Sequence, residues 1–170
     1  MIKSGTRPAP ARPRTLRALG ARGMVAIEFA MVSAAFFTML LLTMEVCYDL
    51  AIGAALDFGA RAASRFGTTG AVAVAGSTET SRVASITSIV IQTAGGLLSA
   101  SNLQMTEASF QDLAGLNSGT PGVDGPGAAS QFVVYTLTYT QPYLTGLTVG
   151  LTGHAALIHT SSLVVLNEPF

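Results

Sequence analysis

The chain has few of the residues that carry covalent and metal chemistry. Its 170 residues include one cysteine, Cys47, so neither an intrachain disulfide nor a cysteine-based metal cluster can form. Lys3 is the only lysine, so the glycines Gly70 and Gly76 lack the lysine that a phosphate-binding loop requires. Nucleotide binding through that motif is excluded, and so is Schiff-base catalysis by any residue after the basic head.

Charge is also scarce, and it is unevenly distributed. Asp, Glu, Lys and Arg make up 11% of the chain, against roughly 25% in soluble domains. Six of the nine basic residues precede Gly23, whereas no acidic residue precedes Glu28. Residues 24–170 hold three basic and nine acidic residues, a formal charge of −6. This distribution argues against a nucleic-acid partner, because phosphate binding requires clustered Lys and Arg.

Histidine offers no clear catalytic pair. His154 and His159 are five positions apart. On one strand, an odd spacing sends two side chains to opposite faces, so we expect neither a shared metal ion nor a dyad. No other catalytic constellation is evident, and we expect a protein that is not an enzyme and that carries no cofactor.

A long apolar segment follows the basic head. Residues 1–22 contain three prolines and no apolar periodicity, which predicts disorder. A helix is predicted from Met24 to Phe66. Its uncharged stretch Phe29–Met44 extends about 24 Å at 1.5 Å per residue, so a span of roughly 30 Å must also include Met24–Glu28. Glu28 would then lie in or at the edge of the hydrocarbon, where an unpaired carboxylate costs about 2.5–3.5 kcal/mol. We therefore expect it to have a partner.

Small residues recur every four positions in the second half of this helix. Such a ridge lets another helix approach closely. The ridge predicts packing against the protein's own globular part, against like helices of other subunits, or against both at different heights. It consists of Ala51, Ala55, Gly59 and Ala63.

The apolar patterns of residues 67–170 predict a small α+β domain. Apolar spacing predicts a second helix near 78–94, extending to about 100 at most. Leu103–Phe110, Phe132–Thr140 and His154–Leu166 are predicted strands, of which two or three would pair antiparallel. In the second of these, residues alternate so that Val133, Tyr135, Leu137 and Tyr139 share one face. Residues 112–130 hold five glycines and two prolines, which predicts a loop.

The start of the apolar segment resembles a type IV prepilin processing site. The residues that carry the resemblance are Arg22-Gly23 followed by Met24-Val25-Ala26-Ile27-Glu28-Phe29. The resemblance implies cleavage by a prepilin peptidase after Gly23, which makes Met24 the new N-terminus. It also implies that Glu28 is the acid that neutralises the new amino group, on its own or a neighbouring subunit. Paired in this way, both charges become tolerable in lipid.

The order of elements extends the resemblance to the TadE-like minor pilins of the tight-adherence (Flp) system. Phe58-Gly59-Ala60-Arg61-Ala62-Ala63 and the ending Asn167-Glu168-Pro169-Phe170 are similar to stretches of that family. Two departures point away from the major subunit. Phe29 stands where major Flp pilins carry tyrosine, and 147 residues follow Gly23, many more than in a major pilin.

This resemblance implies a domain organisation and a location. Residues 1–23 would be a basic cytoplasmic leader that is cleaved, 24–66 a transmembrane and stalk helix, and 67–170 an extracytoplasmic α+β domain. The protein would cross the bacterial cytoplasmic membrane once and act in pilus assembly or adhesion. Its partners would be the prepilin peptidase, other pilins, the assembly platform and the lipid bilayer.

Three other interpretations remain open at this point. The first is an ordinary signal anchor in which Glu28 is juxtamembrane. The second is an exported binding module, released by a signal peptidase that cleaves near Ala51–Ala55. The third is a cell-envelope enzyme, which would require a histidine or acid site that the sequence does not reveal.

Overall fold

The computed structural model describes residues 15–69 and 81–169. Its first helix, α1, covers Thr15–Gly67 and is 53 residues long. It begins nine residues before Met24, so the prediction of disorder is wrong for residues 15–22; this stretch contains Leu, Ala and Arg, which favour helix, and no proline. The predicted end at Phe66 is correct to within one residue. The rest of the predicted disordered head, residues 1–14, lies outside the described residues.

The chain divides into two units, Met1–Leu42 and Thr43–Phe170. In the first unit, the described residues belong to α1 alone, and the large apolar side chains from Met24 to Leu41 are exposed; Phe29 is 72% and Met31 71% accessible. Among the described residues, one helical segment, Gly23–Gly67, is long and apolar enough to cross a membrane. A membrane anchor is compatible with this segment, as the sequence predicts.

The second unit adds helix α2, Arg82–Thr93. Its N-cap is Ser81, whose hydroxyl accepts a hydrogen bond from the backbone N–H of Ala84 at 3.2 Å. The helix ends at Thr93, within one residue of the predicted end at 94, and it does not continue toward 100 because the chain turns at Gly95 and Gly96, both of which have positive φ. Residues 78–80, where the predicted helix begins, lie outside the described residues.

The C-terminal part forms a four-stranded antiparallel sheet in the order β2-β1-β3-β4. The strands are β1 Leu103–Phe110, β2 Val123–Asp124, β3 Phe132–Pro142 and β4 Ala156–Leu166. The bounds of β1 match the prediction, and β3 is two residues longer. Strand β4 begins at Ala156, which leaves His154 outside the sheet. The predicted α+β fold, with a long N-terminal helix, a second helix and a small antiparallel sheet, is confirmed.

Short elements occupy the connections between the predicted helices and strands. The predicted loop 112–130 contains helix α3, Leu113–Asn117, as well as β2. Helix α4, Gly146–Thr152, connects β3 to β4, and a 3-10 turn at Ala100–Asn102 precedes β1. Glycine-rich segments of this length have little apolar periodicity, which is why their helices escape prediction.

The core lies between one face of the sheet, α2 and the second half of α1. The alternation predicted for β3 is confirmed, since Val133, Tyr135, Leu137 and Tyr139 are all buried. Helix α1 contributes Ile52, Leu56, Ala60 and Ala63, and α2 contributes Ile86 and Val90. Burying this apolar face is the main stabilising term of the unit.

The ridge of small residues packs within the chain at its C-terminal end. A Cβ on Gly59 would lie 2.9 Å from Val90 Cγ1 and 3.1 Å from the Val90 carbonyl oxygen. Ala63 is fully buried in the same core, Ala55 is half-buried against it, and Ala51 is also half-buried. Packing against the protein's own globular part therefore holds at Gly59, which meets α2, and at Ala63, which is buried in the core.

The contact between Gly59 and α2 predicts opposite effects for two glycine substitutions. We expect Gly59→Ala to destabilise the protein by about 1–3 kcal/mol, because the added methyl group overpacks the contact with Val90. The control is Gly53→Ala, whose Cβ would approach no heavy atom closer than 3.5 Å. It should stabilise the helix by about 0.5–1 kcal/mol. Urea unfolding of the detergent-solubilised chain measures both; equal effects would contradict the close approach.

Candidate functional site

The predicted processing residues lie inside α1, with no end of the helix near them. Gly23, Met24 and Glu28 are all exposed. A Cβ on Gly23 would meet no atom within 4 Å. Glycine in a helix interior costs about 1 kcal/mol relative to alanine, so neither packing nor backbone geometry in this chain accounts for it.

Glu28 is likewise unexplained by the fold. Among the described residues its carboxylate has no hydrogen-bonding or ionic partner, and it is surrounded along the helix by exposed apolar side chains. Because Glu28 lies one helical turn after Met24, its side chain is directed back toward that residue. The arrangement brings the acid close to the position where cleavage after Gly23 would create an amino group.

The second unit contains a buried polar cluster, centred on Arg82 and Asn167, that the sequence analysis missed. Arg82 Nη1 donates to Pro126 O at 3.2 Å, Tyr135 Oη at 3.4 Å and Asn167 Oδ1 at 3.3 Å. Asn167 Nδ2 donates to the carbonyls of Pro126 and Ala128 at 2.9 and 3.0 Å. The cluster thus joins the start of α2, the middle of β3, the loop before β3 and the end of β4, so its role is structural.

Glu107 lies on the same face of the sheet, opposite Tyr135 in the register of β1 and β3. Burial raises the pKa of the Glu107 carboxyl above its ordinary value of 4.5, and the positive charge of Arg82 opposes the shift. Its Oε2 atom has no hydrogen-bond partner among the described residues. Burial is also the main cause that raises the pKa of the Tyr135 hydroxyl.

A second polar cluster links α1 to the sheet through His159. Its Nε2 lies 2.8 Å from Gln141 Oε1 and 3.1 Å from Asp49 Oδ1. Both neighbours are hydrogen-bond acceptors, so Nε2 carries the proton and donates. Next to this cluster, Asp57 Oδ1 accepts from Ser161 Oγ at 2.8 Å. His159 therefore orients the helix on the sheet, and His154 lies exposed outside the strand.

Glu45 marks the third polar contact of α1. This carboxylate is buried, and it accepts hydrogen bonds from the backbone N–H of Leu144 at 2.8 Å and from Thr145 Oγ1 at 3.2 Å. It is the first charged residue after the uncharged stretch Phe29–Met44. The segment that connects β3 to β4 is thereby fixed to α1 at the point where its apolar stretch ends.

These contacts explain which functional residues can be found from sequence. Gly23 and Glu28 stand out because they interrupt a local pattern. Arg82, Asn167, His159 and Glu45 do not, because their partners are distant in the chain. Within residues 15–69 and 81–169, no three His, Cys, Asp or Glu side chains are grouped so that they could hold a metal ion.

Comparison with known proteins assigns no family. No family model matches the chain, and neither a curated protein nor a solved structure gives a match.

The raised pKa of Glu107 predicts a pH-dependent gain in stability for Glu107→Gln. Below about pH 4 the carboxyl is protonated in both the folded and the unfolded states and costs nothing. As the pH rises, the unfolded state ionises first, so the wild type loses stability until the folded-state pKa is passed. Glu107→Gln should therefore unfold at a higher temperature than the wild type at about pH 7.5, and the difference should vanish at about pH 4.

The control for this experiment is Glu168→Gln, which removes an exposed carboxylate and should change the unfolding temperature little at either pH. Circular dichroism of the detergent-solubilised protein reports the transition. A lower unfolding temperature for Glu107→Gln at the higher pH would mean that attraction to Arg82 outweighs the cost of burial.

Proposed function

We propose that the chain is a prepilin-like minor subunit of a tight-adherence (Flp) type pilus, anchored in the bacterial cytoplasmic membrane by α1. One observation carries the proposal: the exposed apolar helix contains a glycine and, five residues later, a carboxylate, and the fold explains neither. A type IV prepilin has a glycine and a glutamate at these positions, the glycine before the cleaved bond and the glutamate as the fifth residue of the mature chain. Residues 1–23 are the leader, and the second unit acts outside the cytoplasm.

Cleavage after Gly23 would give Glu28 a partner. It would leave an amino group on Met24 and four unpaired backbone N–H groups at a new helix start. The amino group of the same chain or of a neighbouring subunit would then neutralise Glu28 in a lipid environment, where an isolated charge is costly.

The polar contacts of Glu45 and Asp49 argue against release by a signal peptidase that cleaves near Ala51–Ala55. Such a cut would remove Glu45 and Asp49 from the second unit. The N–H of Leu144 and the imidazole of His159 would lose their acceptors on α1. An intact α1 fits the proposed subunit, whose partners are the peptidase, other pilins and the assembly platform.

The native N-terminus tests the proposal directly. We expect mass spectrometry of membrane-derived protein from a host with a prepilin peptidase to find a chain that begins at Met24. Gly23→Ala should retain the leader on most molecules, because the peptidase would no longer recognise the cleavage position. The matched control, Gly20→Ala, replaces a glycine within the leader and should be processed normally.

Two results would contradict this assignment. A wild-type chain that keeps its leader in a host whose pili assemble would exclude processing at Gly23. A soluble product that begins beyond Ala51 would instead identify an exported module.

The charge of Glu28 should matter for assembly and not for insertion. We expect Glu28→Gln to remain in the membrane fraction at the wild-type level, while the amount that co-purifies with partner pilins falls about tenfold, a change of about 1.4 kcal/mol. Glu28→Asp retains the charge and should recover most of the association. Equal co-purification of Glu28→Gln and wild type would refute the pairing of charges.

A further inference from the structure

We propose that residues 142–153, which comprise the last residue of β3 and most of its connection to β4, including helix α4, lie in the headgroup layer of the membrane as a second lipid contact; this stretch is called the connection below. The inference rests on the membrane anchoring in the proposed function. It does not depend on cleavage after Gly23 or on pilus assembly.

The position of the connection comes from Glu45. In a chain anchored by α1, the hydrophobic stretch ends at Met44, so Glu45 lies where the helix leaves the hydrocarbon. Its carboxylate accepts hydrogen bonds from Leu144 and Thr145, at 2.8 and 3.2 Å. These two bonds place the start of α4 within a few ångströms of the level at which α1 emerges.

The composition of the connection suits the boundary between lipid and water. From Pro142 to Gly153 it has no charged residue. Three of its apolar side chains are exposed, Leu144 at 53%, Val149 at 38% and Leu151 at 66%. Tyr143 is half-buried beside them, and tyrosine is enriched at membrane interfaces.

Two exposed apolar residues of the same unit, Val123 and Leu113, have a different setting, because each is next to an acidic residue. Val123 in β2 is 73% exposed, but it is followed directly by the exposed acid Asp124. Leu113 in α3 is 54% exposed and follows Asp112, whose carboxylate caps that helix. Isolated exposed apolar residues are normal on a surface in water, whereas an uncharged apolar group at the end of a membrane span indicates lipid.

The proposed contact is apolar in character. Residues 142–153 include no Lys or Arg, so attraction to anionic headgroups contributes nothing from this segment. Insertion should bury Leu144, Val149 and Leu151 about 5–10 Å into the boundary between headgroups and acyl chains. The contact should therefore persist at high salt and in neutral lipid.

Fluorophore depth measurements on the full chain test the proposal. In a Cys47→Ser background, single cysteines are introduced as Leu151→Cys, Val149→Cys, Val123→Cys and Phe37→Cys and labelled with an environment-sensitive dye. Each protein is reconstituted at low density in vesicles of phosphatidylethanolamine and phosphatidylglycerol. Quenching is measured with lipids that carry a doxyl group near the headgroup or near the chain end, and with aqueous iodide.

We expect emission at positions 151 and 149 to shift to the blue and to be lost mainly with the shallow doxyl lipid. Emission at position 123 should be lost with iodide alone, and emission at position 37 with the deep doxyl lipid. The same pattern should appear in vesicles of phosphatidylcholine at high salt.

Failure of the two proposals gives distinct results. If position 37 is quenched by the deep lipid but positions 149 and 151 behave like position 123, the anchor stands and the second lipid contact is refuted. If position 37 is not quenched by either lipid, the membrane anchor itself is refuted, and the present inference falls with it. A blue shift at position 151 without quenching by lipid would identify a protein contact in place of lipid.

Discussion

The helix α1 has two parts with different surroundings, and the rest of the structure depends on this division. The first part is exposed, whereas the second part packs against α2 and the sheet. Between Phe29 and Met44 the helix carries no charge, and the large apolar side chains from Phe29 to Leu41 are exposed, with no described element of the first unit covering them. From Glu45 onward one face of the helix packs in the protein core, where Ile52 and Leu56 are fully buried. The absence of a side chain at Gly59 lets α2 approach this part of the helix closely.

Polar contacts decide how the sheet is placed on this helix. Apolar packing is not directional, so on its own it permits several rotations of a helix over a sheet. Hydrogen bonds from His159 to Asp49 and from Ser161 to Asp57 select one of them. The cluster of Arg82 and Asn167 performs the same function for α2 and the final strand.

Much of the fold was predictable because its main elements carry strong local patterns. The alternation in β3 identified its buried face correctly, and the paired glycines after α2 marked the end of that helix. The connections were not predictable, since α3, α4 and β2 are too short to show a period. The polar contacts could not be predicted for another reason. Glu45 and Leu144 are 99 residues apart, and no local sequence pattern around either residue indicates the contact. Gly23 and Glu28 could be singled out only by their resemblance to a prepilin processing site, and their roles are a proposal.

The two hydrogen bonds of Glu45 have a consequence for the motion of the anchor. In the proposed anchored subunit, sliding of α1 into the bilayer by one turn would carry Glu45 toward the acyl chains together with the backbone of Leu144 and the hydroxyl of Thr145 that are bonded to it. Folding of the second unit would therefore help to fix the depth of the helix, so that neighbouring subunits of the proposed assembly would present their side chains at matching depths.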